Sequence, residues 1–129
     1  MKHNMKLQDK PYNSILYGNK DIEMRLYDDK RKLINIGDII TFTNIDTGEM
    51  FDSKVINLHN YRDFDELYSN FDKIRLGYDS DEIANSVDMG KYYSIDDINK
   101  YGVVGIEINV IRWFLLVILK KMLYNVCIR

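Results

Sequence analysis

The chain has 129 residues, enough for one domain around one core and too few for two. A hydrophobic fraction of 46% excludes intrinsic disorder, and a single cysteine, Cys127, excludes a disulfide framework or a cysteine-rich zinc site. The net charge of −2 is unevenly spread: +3 over residues 1–32, −9 over 33–109 and +4 over 110–129, an acidic body that argues against broad binding to a phosphate backbone.

Along the chain, Met5-Lys6-Leu7 reads as a first strand leading to Pro11, a residue suited to a first helical turn. Tyr12, Ile15 and Leu16 recur at helical spacing, which predicts a helix over 12–17 with Gly18 as its C-terminal cap. The segment Gly18-Asn19-Lys20-Asp21-Ile22-Glu23-Met24-Arg25 then alternates with the period of a strand. Ile22, Met24 and Leu26 are expected to face a core. Glu23 and Arg25 share the other face, with Lys20 at the strand's entrance. Spacing leaves two readings open: a polar binding site, or a solvated strand face with an ion pair worth about 0–1 kcal/mol. The following Lys30-Arg31-Lys32 loop could join Lys20 and Arg25 in a positive mouth.

Ile34 and Ile36 lead to a Gly37-Asp38 turn, and Ile39-Ile40-Thr41-Phe42-Thr43 has the β-branched content of a strand. Residues 44–49 form a hairpin connection and 50–59 a long strand, a succession that points to a small barrel. Three capping patterns predict helices: Asp63 with Glu66 for 64–71, Asp79 with Glu82 for 82–89, and Ser94 with Asp97 for a helix ending near Lys100. Residues 103–108 form a closing strand with Val104, Ile106 and Ile108 on one face and Glu107 on the other. The expected class is α+β. His3 and His59 lack metal-ligand spacing, so neither metal nor cofactor is expected. Residues 1–10 are polar, which predicts no signal peptide and a reduced, cytoplasmic setting.

Residues 110–129 have a different character. Trp113 to Leu119 are seven consecutive apolar residues between Arg112 and Lys120-Lys121, too few to span a bilayer. A helix over 110–124 would be apolar nearly all round and would have to bury itself in the domain, in a partner chain or at a membrane surface. Self-association is favoured over membrane contact. The expected organisation is a domain over 1–109 and a hydrophobic tail over 110–129.

The pattern G-x-K-x-x-E-x-R after a short helix resembles the signature of the ASCH domain family. Ile36-Gly37-Asp38, Tyr92-Tyr93-Ser94 and Tyr101-Gly102-Val103-Val104-Gly105 also fall where small bacterial and phage-type members carry similar residues. The resemblance covers residues 3–109 and implies a PUA-like β-barrel with peripheral helices, a fold used in RNA recognition. It places Lys20, Glu23 and Arg25 at the mouth of a cleft. There Lys20 would contact phosphate or carbonyl oxygen, Arg25 would bind a phosphate or base edge bidentately, and Glu23 would orient Arg25 or accept from an amine. Tyr92, Tyr93 and Tyr101 would stack on a base, although core packing with a tethered hydroxyl is the more ordinary use of each tyrosine. The implied ligand is RNA or a nucleotide-like molecule.

The resemblance also carries an alternative. One bacterial branch of the family hydrolyses N4-acetylcytidine with a lysine and a threonine of this motif and a distant glutamate. Lys20 matches the lysine, but Glu23 stands in place of the threonine, which removes the hydroxyl nucleophile. A Glu23 carboxylate could act as a base on water, but Lys20 nearby would keep it ionised and weak. Glu82 and Glu107 are candidates for the second carboxylate. The sequence holds no Ser-His-Asp set, P-loop or GxGxxG run. An amidohydrolase on an acylated or otherwise modified nucleoside, using Lys20 and Glu23, therefore stands behind a binding module. A purely structural or partner-binding role is the remaining reading.

Overall fold

The computed structural model describes residues 1–113 and 122–123. Its frame is one five-stranded sheet in the order β1-β3-β4-β5-β2. The strands are β1 (Lys2–Leu7), β2 (Ile22–Leu26), β3 (Ile39–Asn44), β4 (Met50–Tyr61) and β5 (Val103–Ile111). β1 runs parallel to β3, with Met5 opposite Phe42; every other pairing is antiparallel. The parallel pair requires a crossover, which α1 (Asp9–Leu16) and β2 supply. The sheet curls into a half-barrel with helices at its periphery, the α+β, PUA-like architecture expected from the sequence. Its two edges, β1 and β2, are not joined by a main-chain ladder.

Two cores flank the sheet. Met5, Leu7, Ile40, Phe42, Phe51, Val55, Val104 and Ile106 form the first with Tyr12 and Ile15 of α1. Tyr12 and Phe42 both pack on Phe51, at ring-centroid distances of 4.9 and 5.4 Å. The second joins Ile22, Met24, Leu26 and Val103 to Phe64 and Leu67 of α2 (Phe64–Ser69), Leu76 of α3 (Lys73–Leu76) and Met89. Ile22, Met24 and Leu26 thus face a core as expected, but it is the one under the peripheral helices.

Local chemistry sets the helix ends. The Asp63 carboxylate accepts from Glu66 N at 2.9 Å to start α2, and Ser94 Oγ accepts from Asp97 N at 3.1 Å to start α4 (Ile95–Tyr101). Helix α3, unanticipated from the sequence, is opened by Asp72 and closed by Gly77 at φ 104. The helix expected over 82–89 does not form. In its place the Lys73 ammonium donates to Glu82 O and Ser80 O and ties this segment to α3. The Asp79–Glu82 pattern closes a turn instead, and a 3-10 helix follows at Ser86–Lys91, capped by Asn85. Gly18 is not a left-handed cap either. A Cβ there would lie 2.8 Å from Ser14 O, the carbonyl that accepts from Lys20 N at 3.2 Å. Glycine is needed for that close approach.

β5 runs to Ile111, past the expected end at 108, with Val110 opposite Ser53 and Ile111 opposite Asp52. A helix beginning at Val110 is therefore corrected to begin no earlier than the end of this strand. Trp113, Met122 and Leu123 are helical, and the rest of the expected tail helix, including the apolar run after Trp113, lies outside the described residues. Among the described residues, no helix is long and apolar enough to cross a membrane.

Candidate functional site

The register of β2 on β5 decides where the motif points. Glu23 lies opposite Ile106 and Arg25 opposite Val104, and directly paired residues share a sheet face. Glu23 and Arg25 therefore face the first core, at the edge where β2 and β1 separate. The solvated strand face is excluded: Glu23 is 6% exposed and Lys20 7%.

The three charges form one buried cluster. Lys20 Nζ is 3.4 Å from Glu23 Oε1, and Arg25 Nε donates to Glu23 Oε2 at 2.8 Å. Lys20 Nζ also donates to Ile22 O at 2.8 Å and Leu76 O at 2.9 Å, so its three N–H groups all have partners within the fold. Arg25 Nη2 donates across the strand gap to Lys6 O at 3.0 Å, while Nη1 makes no hydrogen bond among the described residues. Burial pushes the Lys20 ammonium below its ordinary pKa, with the Glu23 charge pulling the other way. Burial alone would raise Glu23, but the Lys20 and Arg25 charges outweigh it and hold the carboxyl below its ordinary value. Arg25, penalised by burial, is held above its ordinary value by Glu23.

This cluster is part of the lining of a cleft of about 410 Å³. The end of β1 and the start of α1 contribute Lys6, Leu7, Lys10 and Pro11 to the lining. The lining also holds Tyr68 of α2, the Leu76-Gly77-Tyr78 turn after α3, and Asp88, Lys91, Tyr92 and Tyr93 in and after the 3-10 helix. Tyr92 is 59% exposed, and Tyr93 is half-buried with its ring stacked on Phe64 at 5.9 Å. Tyr78 hydroxyl joins Tyr68 (2.8 Å) to the Asp88 carboxylate (2.7 Å), and burial followed by these bonds pushes its pKa strongly upward. At the rim Lys10 pairs with Glu82 at 3.1 Å. Among the described residues no group of His, Cys, Asp and Glu could hold a metal ion.

Lys20, Glu23, Arg25, Tyr92 and Tyr93 thus come together on one cleft. Other expectations do not follow them. The Lys30-Arg31-Lys32 loop is not in the lining, and Arg31 pairs with Asp28 at 2.8 Å. Tyr101 packs on the second core beneath Lys100. Glu107 lies on the other face of β5, where it pairs with His59 at 2.9 Å. His3 pairs with Asp38 at 2.8 Å. Sequence reasoning missed Lys6, Lys10, Tyr68, Tyr78, Asp88 and Lys91. Of these only Lys91, next to Tyr92-Tyr93, carried a local signal.

A family model of the ASCH domain matches residues 5–112. The chain belongs to the ASCH domain family. Two solved structures of Pyrococcus proteins are similar to this ASCH domain. The hypothetical protein PH0355 is 33% identical, over 86% of this chain and all of that one, with a TM-score of 0.73. Protein PF0455 from Pyrococcus furiosus is 30% identical, over 87% of this chain and 99% of that one, with a TM-score of 0.69. A comparison with curated proteins returns no match.

Proposed function

We propose that this ASCH domain is a cytoplasmic binding module that takes RNA or a nucleotide-like ligand in the cleft between β1 and β2. The observation that carries this reading is the state of Arg25. Glu23 Oε2 holds its Nε–Nη2 edge and Lys6 O also accepts from Nη2, so the guanidinium is fixed in place with Nη1 uncommitted among the described residues. A fixed arginine with spare donors suits a phosphate or base edge. Tyr92 and Tyr93 belong to the same lining, and tyrosine is a residue type on which a base stacks. Lys20 and Glu23 line the cleft beneath Arg25 and set its charge and position.

The same geometry weighs against the hydrolase alternative. Glu23 has both oxygens facing cations and a lowered pKa, which makes it a weak general base, and it supplies no hydroxyl nucleophile. The test is a titration of the full chain with RNA oligonucleotides and ribonucleotides, together with an assay of cytidine release from N4-acetylcytidine. Saturable binding without turnover is expected. Turnover that depends on Lys20 would replace this reading with the amidohydrolase one.

A further inference from the structure

We propose that the cleft recognises a single phosphomonoester-bearing nucleotide, either a free nucleoside monophosphate or the phosphorylated end of an RNA, and not the phosphodiester backbone of a strand. This rests on the nucleotide-binding reading above and adds the form of the phosphate.

Size is the first observation. About 410 Å³ lies in the range of sites that enclose one small ligand. Proteins that follow a single strand use an extended basic groove covering about 4–16 nucleotides. Apolar wall segments at Leu7, Pro11, Met24 and Met89 suit the body of one nucleoside.

Charge is the second. Five cationic side chains line the cleft against three carboxylates, Glu23, Glu82 and Asp88, which leaves a net +2. A phosphomonoester carries about −1.5 to −2 at neutral pH, whereas a diester carries one charge per phosphate. The cations without an ion-pair partner among the described residues, Lys6 and Lys91, are exposed, and Arg25 Nη1 in the same lining makes no hydrogen bond among the described residues.

The surroundings are the third. Asp79 and Asp81 act on Lys10 beside the Lys10–Glu82 pair at the rim, and residues 33–109 as a whole carry −9. A strand leaving the cleft past this rim would run its backbone along like charge, which costs affinity at each further phosphate.

The experiment is calorimetric titration of the full chain. The probes are the four ribonucleoside 5′-monophosphates, the matching nucleosides, and one RNA 9-mer carrying either hydroxyl or phosphate at its ends. The best monophosphate is expected to bind at least about tenfold tighter than its nucleoside, the size of one charge-assisted contact. Affinity should fall below about pH 6 as the monoester gains a proton. Lys6→Ala and Lys91→Ala should each lower monophosphate affinity by a larger factor than nucleoside affinity, and an equal loss for both ligands would remove the phosphate-reading role of these lysines. A phosphorylated 9-mer that matches the monophosphate assigns the RNA end as the source; one that binds far more weakly assigns the free nucleotide. Equal or tighter binding of the hydroxyl-ended 9-mer would overturn the proposal in favour of strand binding. Equal affinity for nucleoside and monophosphate would overturn it and leave the cleft a nucleoside site. No binding of any probe would overturn the nucleotide reading itself.

Discussion

Arg25 and Lys6 lie on the two edge strands of the sheet, and Arg25 Nη2 donates to Lys6 O across the gap at 3.0 Å. The sheet order leaves β1 and β2 without a shared ladder, so a side chain spans the opening that a main chain would otherwise close. The same guanidinium is tied to buried Glu23 at 2.8 Å. One residue therefore bridges the two edge strands and carries an uncommitted Nη1 in the cleft lining.

Arg25→Lys should keep a charge beside Glu23 but lose the planar fork that reaches Lys6 O at the same time. We expect a folded protein with a modestly lower melting temperature and at least about tenfold weaker nucleotide binding. Arg25→Ala removes one partner of a buried carboxylate. Its stability loss should fall at the low end of the about 3–5 kcal/mol for breaking a buried pair, because Lys20 remains. Urea melts and titrations of both variants check this; unchanged affinity in both would remove Arg25 from the site.

Gly77→Ala tests how the Lys20 side chain is seated. Gly77 has φ 104, and a Cβ there would lie 2.9 Å from Lys20 Cδ. The left-handed backbone alone costs about 1–2 kcal/mol for an L-residue. The clash should also displace Lys20 from Leu76 O, so nucleotide affinity is expected to fall along with stability. A melt and a titration of the same variant separate the two effects, and a loss of stability with intact affinity would confine Gly77 to the fold.

Asp38 predicts the behaviour in acid. Its carboxylate bonds the His3 ring at 2.8 Å and accepts from Asn35 N at 3.0 Å, and these bonds, His3 first, lower its pKa from 3.8 to about 2. A depressed carboxyl pKa gives stability that is present above the unfolded value and lost as pH falls through the folded one. Denaturant midpoints should therefore decline between about pH 4 and pH 2. In Asp38→Asn the midpoint should be lower at neutral pH and the decline shallower in this window. An identical acid profile in the variant would exclude Asp38 as the group responsible.

The C-terminal boundary is the fourth test. β5 pairs through Ile111, Arg112 Nη2 donates to Leu16 O at 2.8 Å, and Trp113 Nε1 donates to Asp52 at 3.0 Å. We propose that residues 1–113 form the autonomous domain and that the following apolar residues drive self-association. A chain ending at Trp113 should melt as the full chain does and be more nearly monomeric by light scattering. A chain ending at Asn109 loses these contacts and should be about 1–3 kcal/mol less stable. Unfolding of the 1–113 chain would make the later residues part of the core.

The sequence by itself determined the α+β class, the strands and the family. Hydrophobic period and turn chemistry are local: β-branched runs, Gly37-Asp38, and the Asp63–Glu66 and Ser94–Asp97 caps act within a few residues. Where a distant group intervened, local reading failed. The segment expected as a helix over 82–89 is instead tied to Lys73 through Glu82 O, and close approach to Ser14 O, not a left-handed turn, required Gly18. Alternation of Ile22, Met24 and Leu26 with Glu23 and Arg25 said that two faces exist, but not that both are covered. Only tertiary structure decided that, because the face of Glu23 and Arg25 is set by their register against Val104 and Ile106. It also decided which residues complete the cleft. Lys6, Tyr68, Tyr78 and Asp88 are scattered along the chain, and only the packing of α2, α3 and the 3-10 helix beside the open β1–β2 edge brings them to Arg25. A strand's period is written in neighbouring residues; a cleft is made of side chains that meet only after the chain has folded.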